Sequence, residues 1–294
     1  VKRTLDRVCR ALNSKWSVWE VIAVDDGSSD KTKEQIKRYS KLEPKVKLVT
    51  YYPNHGPCKA LRTGFERATA EIICTIDADL SYNERYLVEM VKILQIHPEY
   101  DLIVGSPYIP GGGTENVPAQ RLLISKLGNK VLSYAMKSKV STVTGILRAY
   151  RSSCLKPLEL ESEGKEIHLE ILSKLLAMGY KLFEMPAVLT ARVKGDSKFR
   201  FKATAISHLI FSFFERPVIL FGLIGLFFVI LGLMGGGYLI YLWQTGTLNP
   251  VRPLITLVAL LILTGLQVLL FGFLGTQMVL LRKEIYKIQR ENKN

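Results

Sequence analysis

Two stretches near the C-terminal end limit what this chain can fold into. Residues 217–243 (PVILFGLIGLFFVILGLMGGGYLIYLW) and 253–281 (PLITLVALLILTGLQVLLFGFLGTQMVLL) contain no charged side chain. A bilayer-spanning helix needs about 20 predominantly apolar residues, and both runs exceed that. The competing reading, a pair of buried core helices, is disfavoured by their length and lack of charge. Arg192, Lys194, Lys198, Arg200, Lys202 and Arg216 precede the first run, and Arg282, Lys283, Lys287 and Arg290 follow the second. The connector 244–252 carries only Arg252. Basic flanks stay on the cytoplasmic side, so the sequence predicts two spans with both ends inside and a short loop outside. Residues 199–216 (FRFKATAISHLIFSFFER) read as an amphipathic helix lying in the membrane interface. Gly235, Gly236 and Gly237 are candidates for close helix contact or a kink. Gln267 and Gln277 are candidates for hydrogen bonds between helices, within one chain or between subunits of a homo-oligomer.

The remainder is polar, and the whole chain carries a formal net charge of +14. Such a charge calls for a polyanionic partner. No zinc-finger spacing, RNA-binding signature or basic heptad helix is present, so nucleic acid is not expected. The clustering of cations near the apolar runs favours a membrane surface. Cys9, Cys58, Cys74 and Cys154 are widely spaced without a C-x-x-C; neither a disulfide framework nor a zinc site is expected.

Residues 1–198 read as an α/β domain. Residues 1–12 have the pattern of an amphipathic helix. The run 20–24 (EVIAV) is a buried strand ending at Asp25-Asp26-Gly27, and Ser28-Ser29-Asp30 caps a helix through Tyr39. Strands at 46–51, 71–76 and 101–104 alternate with helices at 56–69 and 83–96. That alternation predicts a mostly parallel sheet covered on both faces. An opening strand before residue 1 would be usual in such a domain and is missing here.

Ligands of such sheets bind at the carboxyl ends of strands, where two acidic pairs fall. A D-x-D tripeptide is common. Asp77 and Asp79, however, follow a buried strand beside a second acidic pair, and i, i+2 spacing in an extended stretch lets both carboxylates point one way. Such a pair suits a hard divalent cation held jointly with substrate phosphates. Asp25 and Asp26 either hold the base or ribose of a nucleotide or cap the turn. Arg192 and Lys198, in ARVKGDSKF, suit capture of a lipid phosphate at the bilayer surface, or serve only as the positive flank.

These residues resemble the family 2 inverting glycosyltransferases, and within them the polyprenyl-phosphate (dolichyl-phosphate) mannose and glucose synthases. The resemblance is carried by EVIAVDDGSSDKT (20–32), by Asn54, Gly56, Ala60 and Gly64 in NHGPCKALRTG, and by DADL (77–80). It continues through GSPYIPGGG (105–113), Arg121, Ser125 and Asn129, Arg148-Ala149-Tyr150, and Glu184-x-Pro186 with Arg192, Gly195, Ser197 and Lys198. It implies a GT-A (Rossmann-like) domain over 1–198, the interfacial helix at 199–216, spans at 217–243 and 253–281, and a basic cytoplasmic tail at 282–294. It also implies a UDP- or GDP-linked sugar donor, Mg2+ or Mn2+ on Asp77 and Asp79, and a polyprenyl phosphate acceptor. The donor residues are then Asp25, Asp26, Gly56, Lys59, Asp77, Ala78 and Asp79. Arg121, Ser125, Arg148, Arg192 and Lys198 gather the acceptor phosphate, and Asp77, Asp79, Arg121 and Arg148 form the catalytic group.

Four departures stand out: the absent opening strand, Pro107 where the loop usually has Arg, Ser81 where Gln often follows DADL, and Thr142 where an Asp is usual. Thr142 favours an acceptor that needs no base. A phosphate monoester is largely ionised at neutral pH. Transfer to a lipid hydroxyl, or a catalytically altered membrane scaffold, are the alternatives.

Overall fold

The computed structural model describes residues 1–136, 138–162, 166–191, 215–247 and 253–293. The chain divides into two compact units, Val1–His208 with Tyr286–Asn294, and Leu209–Ile285.

The first unit opens with α1 (Lys2–Asn13), whose Leu5, Val8 and Cys9 are buried on one face. Next come β1 (Val21–Asp26), α2 (Thr32–Leu42), β2 (Val46–Tyr51), α3 (Pro57–Arg67) and β3 (Ile72–Thr75). They are followed by α4 (Arg85–Ile96), β4 (Leu102–Ser106), β5 (Gly113–Glu115) and α5 (Ala119–Ala135). The unit continues with β6 (Arg148–Arg151), α6 (Ser152–Leu155), α7 (Ile167–Ala177), β7 (Leu182–Pro186) and β8 (Val188–Thr190). The expected alternation is present, with element ends shifted by up to three residues; the helix expected to be capped by 28–30 and to end at Tyr39 is instead capped at Lys31 and runs on to Leu42. The helix expected from residue 56 starts at Pro57, because Gly56 takes a φ of +86° and a proline with its fixed φ suits the first helical turn.

β1 pairs β2 in parallel, and β4 pairs β7 in parallel. β6 runs antiparallel between β3 and β4. The small β5–β8 pair is parallel. The architecture is therefore mixed α/β with mostly parallel pairing. β1 and β3 are not hydrogen-bonded to each other. Among the described residues, each of these strands has a single partner and is only partly buried, whereas all five residues of β4 are buried. The core joins α4 (Tyr86, Leu87, Met90, Leu94) to Ile103, Leu147, Ala149 and Met185 of the sheet region.

The second unit contains two helices long and apolar enough to cross a bilayer, α8 (Pro217–Gln244) and the unit's share of α9 (Pro253–Lys293). Their close approach is set by glycines other than the expected 235–237 run alone. A Cβ on Gly225 would lie 2.8 Å from Gly265 O, and one on Gly265 would lie 2.8 Å from Val229 N. Gly235 meets Val258, while nothing lies within 4 Å of a Cβ on Gly237. Small residues at such crossings let backbones pack where lipid offers no hydrophobic driving force. Glu215 pairs with Arg282 at 3.1 Å and Lys283 at 3.4 Å. The basic stretch 282–293 continues α9 without a break in the helix.

Candidate active site

The acidic clusters lie at the carboxyl ends of β1 and β3, where the alternation places them. Asp25 is 3% exposed and pairs in register with Thr50, whose hydroxyl donates to Asp25 Oδ2 at 3.2 Å. Asp25 Oδ1 is buried without a hydrogen-bond partner. A buried, orphaned carboxylate oxygen is costly and marks a place where a ligand donor would be welcome. Asp26 behaves differently. Its two oxygens accept the His55 and Gly56 N–H groups, both at 2.8 Å, and its carbonyl accepts Asn54 Nδ2 at 2.6 Å. It thereby fixes the entry to α3. Gly27 completes the turn: its φ is +66°, and a Cβ there would sit 2.8 Å from Asn54 N. Of the two turn acids, Asp26 is the structural cap, and Asp25 keeps an unanswered oxygen. Lys59 lies exposed on the first turns of α3.

After β3, the D-x-D segment forms a tight turn. Leu80 adopts φ +54° and its N–H donates to Asp77 O at 3.2 Å. Asp79 Oδ1 accepts both the N–H and the hydroxyl of Ser81, at 2.9 and 2.7 Å, and Ala78 O accepts the Thr4 hydroxyl at 2.6 Å. Ser81, one of the departures, thus orients the second acid. Among the described residues no group of three or more His, Cys, Asp or Glu side chains gathers to hold a metal. Two hard carboxylates on one turn fit a divalent ion that phosphate oxygens complete, rather than a closed protein cage.

Tyr108, on the loop after β4, reaches α5. The buried Tyr82 hydroxyl has a pKa raised first by burial and then by Tyr108, Asp77 and Tyr86. Tyr108 also donates its hydroxyl to Ser125 Oγ at 2.7 Å. One turn further along α5, Asn129 is 3% exposed. Its Nδ2 donates to Ser125 O at 2.9 Å, and its Oδ1 accepts the Val143 N–H at 2.7 Å. Glu184 on β7 accepts the N–H groups of Ser141 and Thr142 at 2.9 and 3.0 Å. Asn129 and Glu184 therefore suspend the 141–144 loop between α5 and β7. Both stand in the motifs quoted above; their roles as pins depend on main-chain partners far away in sequence. Arg121 lies exposed at the start of α5.

Arg148 is fully buried. Its guanidinium donates to the carbonyls of Gly145, His168 and Val143 at 2.8, 2.9 and 2.6 Å. It organises the loop before β6 from within the fold instead of facing an open site. His168 Nδ1 is buried without a partner, and burial, with the Arg148 charge adding, pushes the imidazole pKa down to about 3. Arg192, Lys198 and residues 199–214 lie outside the described residues.

Fold and site together define a GT-A-type glycosyltransferase architecture. The profile described as "Glycosyl transferase family 2" matches residues 1–158; the chain belongs to that family. Among curated relatives, it is 29% identical over 201 residues to a dolichol-phosphate mannosyltransferase of Pyrococcus furiosus, covering 67% of this chain and 54% of that protein. It is 28% identical over 185 residues to a polyprenol monophosphomannose synthase of Mycolicibacterium smegmatis, covering 60% and 69% respectively. The chain thus spans about half the length of the first relative. Among solved structures, it resembles glucosyl-3-phosphoglycerate synthase from Mycobacterium tuberculosis, crystallised with Mn2+, UDP-glucose and phosphoglyceric acid. The TM-score is 0.54 at 15% identity, over 72% of this chain and 75% of that one, a likeness of fold.

Proposed function

We infer that this chain moves a sugar from a nucleoside-diphosphate sugar to a polyprenyl phosphate, with inversion and with a divalent metal. The observation that carries the reading is the pair of acidic strand ends, with Asp77 and Asp79 on the turn after β3 and Asp25 keeping a buried, unpartnered oxygen at the end of β1. The names of the relatives, a dolichol-phosphate mannosyltransferase and a polyprenol monophosphomannose synthase, support the same acceptor class.

In this reading Asp77 and Asp79 hold Mg2+ or Mn2+, which supplies charge neutralisation for the departing diphosphate. Asp25 offers its orphaned oxygen to the nucleoside, while Asp26 keeps α3 and Gly56 in place beside it, with Lys59 near the diphosphate. Ser125 and Arg121 bind the acceptor phosphate together with Arg192 and Lys198. Arg148 acts as a positioning residue for the 143–147 loop. The acceptor phosphate arrives already ionised, so the chain's task is to align it with the anomeric carbon. The two apolar helices keep the lipid tail in the bilayer, with the catalytic unit and C-terminus cytoplasmic on the positive-inside rule.

Thr142 and Pro107 favour a second reading, a catalytically altered member that binds the donor without turnover. One assay separates them. Detergent-solubilised protein is offered labelled UDP- and GDP-sugars with polyprenyl phosphate, with Mn2+ or with chelator. Metal-dependent label in the lipid fraction is expected. Donor binding without any labelled lipid would overturn the transfer reading.

A further inference from the structure

Arg290 reads from the sequence as one of the cations flanking the second apolar run, yet its guanidinium is turned onto the fold. Helix α9 runs without a break from Pro253 to Lys293, and its last stretch, Tyr286–Asn294, belongs to the first compact unit. There Arg290 Nη1 donates to Met178 O at 2.7 Å, and the guanidinium lies over the Tyr180 ring, 4.3 Å from its centre. Met178 is the C-cap of α7. The last carbonyls of a helix have no partner within it and carry partial negative charge. Two of them are answered by the turn itself: the Gly179 N–H donates to Leu176 O at 3.1 Å and the Tyr180 N–H to Leu175 O at 3.0 Å. Met178 O is answered by Arg290, from a distant part of the chain.

One turn earlier on α9, on the same helical face, the Tyr286 ring lies 5.5 Å from Lys174 Nζ. Lys174 is 7% exposed, pairs with Glu170 Oε1 at 2.7 Å and donates to Glu159 O. The Glu170 carboxylate in turn accepts the N–H groups of Glu161 and Ser162 at 2.8 and 2.9 Å. A buried cation persists only with such partners, and an aromatic face adds to them. The contact is thus reciprocal: the tail gives a cation to Tyr180 and a ring to Lys174. Its apolar side chains are not what seats it, since Ile285 and Ile288 are 47% and 54% exposed.

The turn that Arg290 holds leads straight into β7. The Lys181 N–H donates to Asp101 Oδ2 at 2.9 Å, and Lys181 O accepts the Asp101 N–H at 2.9 Å, which sets the start of β7 beside the start of β4. Further along β7, Glu184 accepts the Ser141 and Thr142 N–H groups. We propose that the last turns of α9 are a positioning clamp for the 141–144 loop: Arg290 fixes the α7–β7 turn, and β7 carries that constraint to Glu184. Arg290 and Tyr286 act through the turn, as positioning residues. The clamp is independent of which sugar or acceptor the chain uses.

The test is hydrogen exchange on the full chain in detergent, comparing Arg290→Ala, Arg290→Lys and Ile288→Ala with the parent. In Arg290→Ala the amides of Gly179, Tyr180 and Lys181, and those of Ser141 and Thr142, are expected to exchange about tenfold faster, the scale of one hydrogen bond to a charged group. The amides of β1 and β2 are expected to keep the parent rates. Arg290→Lys keeps a cation but not the planar group over Tyr180, and is expected to fall between the two. Ile288→Ala, on the exposed face, is expected to match the parent. Unchanged exchange in Arg290→Ala, or an equal acceleration in Ile288→Ala, would overturn the clamp. Acceleration confined to 179–181 would leave Arg290 a helix cap and overturn the link to the loop. A uniform rise over β1 to β4 would mean general destabilisation and overturn it as well. Every readout stands whether or not any sugar is transferred, so the result is separate from that of the transfer assay.

Discussion

The hydroxyls of Ser106 and Thr142 lie 2.7 Å apart, and both residues are buried, at 0% and 3% exposure. Neither is an acid or base near neutral pH. Where the resemblance leads one to expect an Asp, this chain has a neutral hydrogen-bonded pair closing the 141–144 loop onto β4. Thr142→Val therefore tests the phosphate-acceptor reading directly. Transfer is expected to stay within about tenfold of the parent, because a phosphate monoester with a second pKa of about 6 needs no base. Stability is expected to fall by about 1 kcal/mol, since the buried Ser106 hydroxyl loses its short contact to Thr142 and keeps only the Tyr108 N–H at 3.3 Å. A loss of transfer of a hundredfold or more in a folded variant would point to a role for Thr142 in the chemical step.

Asp79→Ala removes one of the two carboxylates on the turn after β3. Transfer is expected to fall by at least about a hundredfold, the scale on which loss of an electrostatic contact to a developing charge is felt. Because Asp79 also anchors Ser81, Ser81→Ala serves as the control. It removes the hydroxyl donor and keeps the acid, so it is expected to lose far less. Donor binding measured with and without Mn2+ checks the assignment: the metal-dependent component disappears in Asp79→Ala and survives in Ser81→Ala.

Asn129 holds the Val143 N–H and the Ser125 carbonyl at once. Asn129→Ala leaves a buried N–H without its acceptor, at a cost of about 1–3 kcal/mol. Urea unfolding of the variant in detergent measures that cost. Hydrogen exchange is expected to speed up first at Val143 and Thr144, ahead of the β4 amides.

His168 links stability to pH. Its imidazole is held at a pKa of about 3 by burial and by Arg148, against about 6.5 in an unfolded chain. Between these values the unfolded chain binds a proton that the folded chain does not, so stability rises with pH. The contribution is complete above about pH 6.5 and is lost as pH falls through the window toward about 3, with a slope of at most about 1.4 kcal/mol per pH unit. His168→Gln is expected to flatten the dependence of unfolding free energy on pH between 4.5 and 6.5. An unchanged slope would place the imidazole in contact with water.

The α8–α9 crossing depends on bare backbone. Gly265→Leu is expected to force the helices apart, because a Cβ alone would already stand 2.8 Å from Val229 N. Gly237→Leu, where nothing lies within 4 Å, is expected to be neutral. Thermal unfolding of the two variants in the same detergent distinguishes them.

Much of this was legible in the chain itself. The runs 20–24, 46–51 and 71–76 read as strands because their residues are apolar and bounded by turn formers, and the acidic pairs fell at their ends by connectivity alone. The roles within those pairs were less legible. Asp25 and Asp26 are neighbours of identical chemistry, yet one caps the α3 entry through His55 and Gly56 while the other retains a buried, unanswered oxygen. Strand alternation sends successive side chains to opposite faces, and what waits on each face comes from another part of the chain. Arg148 reads from its motif as a ligand for phosphate, whereas its guanidinium is surrounded by three carbonyls from the 143–145 loop and α7.

Sequence by itself determined the elements, their order, the two uncharged runs and the acidic strand ends, because periodicity, charge and turn chemistry act over a few neighbouring residues. Tertiary structure alone decided that β6 inserts antiparallel between β3 and β4, that Tyr108 reaches Ser125, and that Asn129 and Glu184 suspend one loop between them. Each of those facts depends on partners tens of residues apart. The free energy that selects such a pairing is the burial and hydrogen-bond satisfaction of the whole fold, which no local window of residues contains.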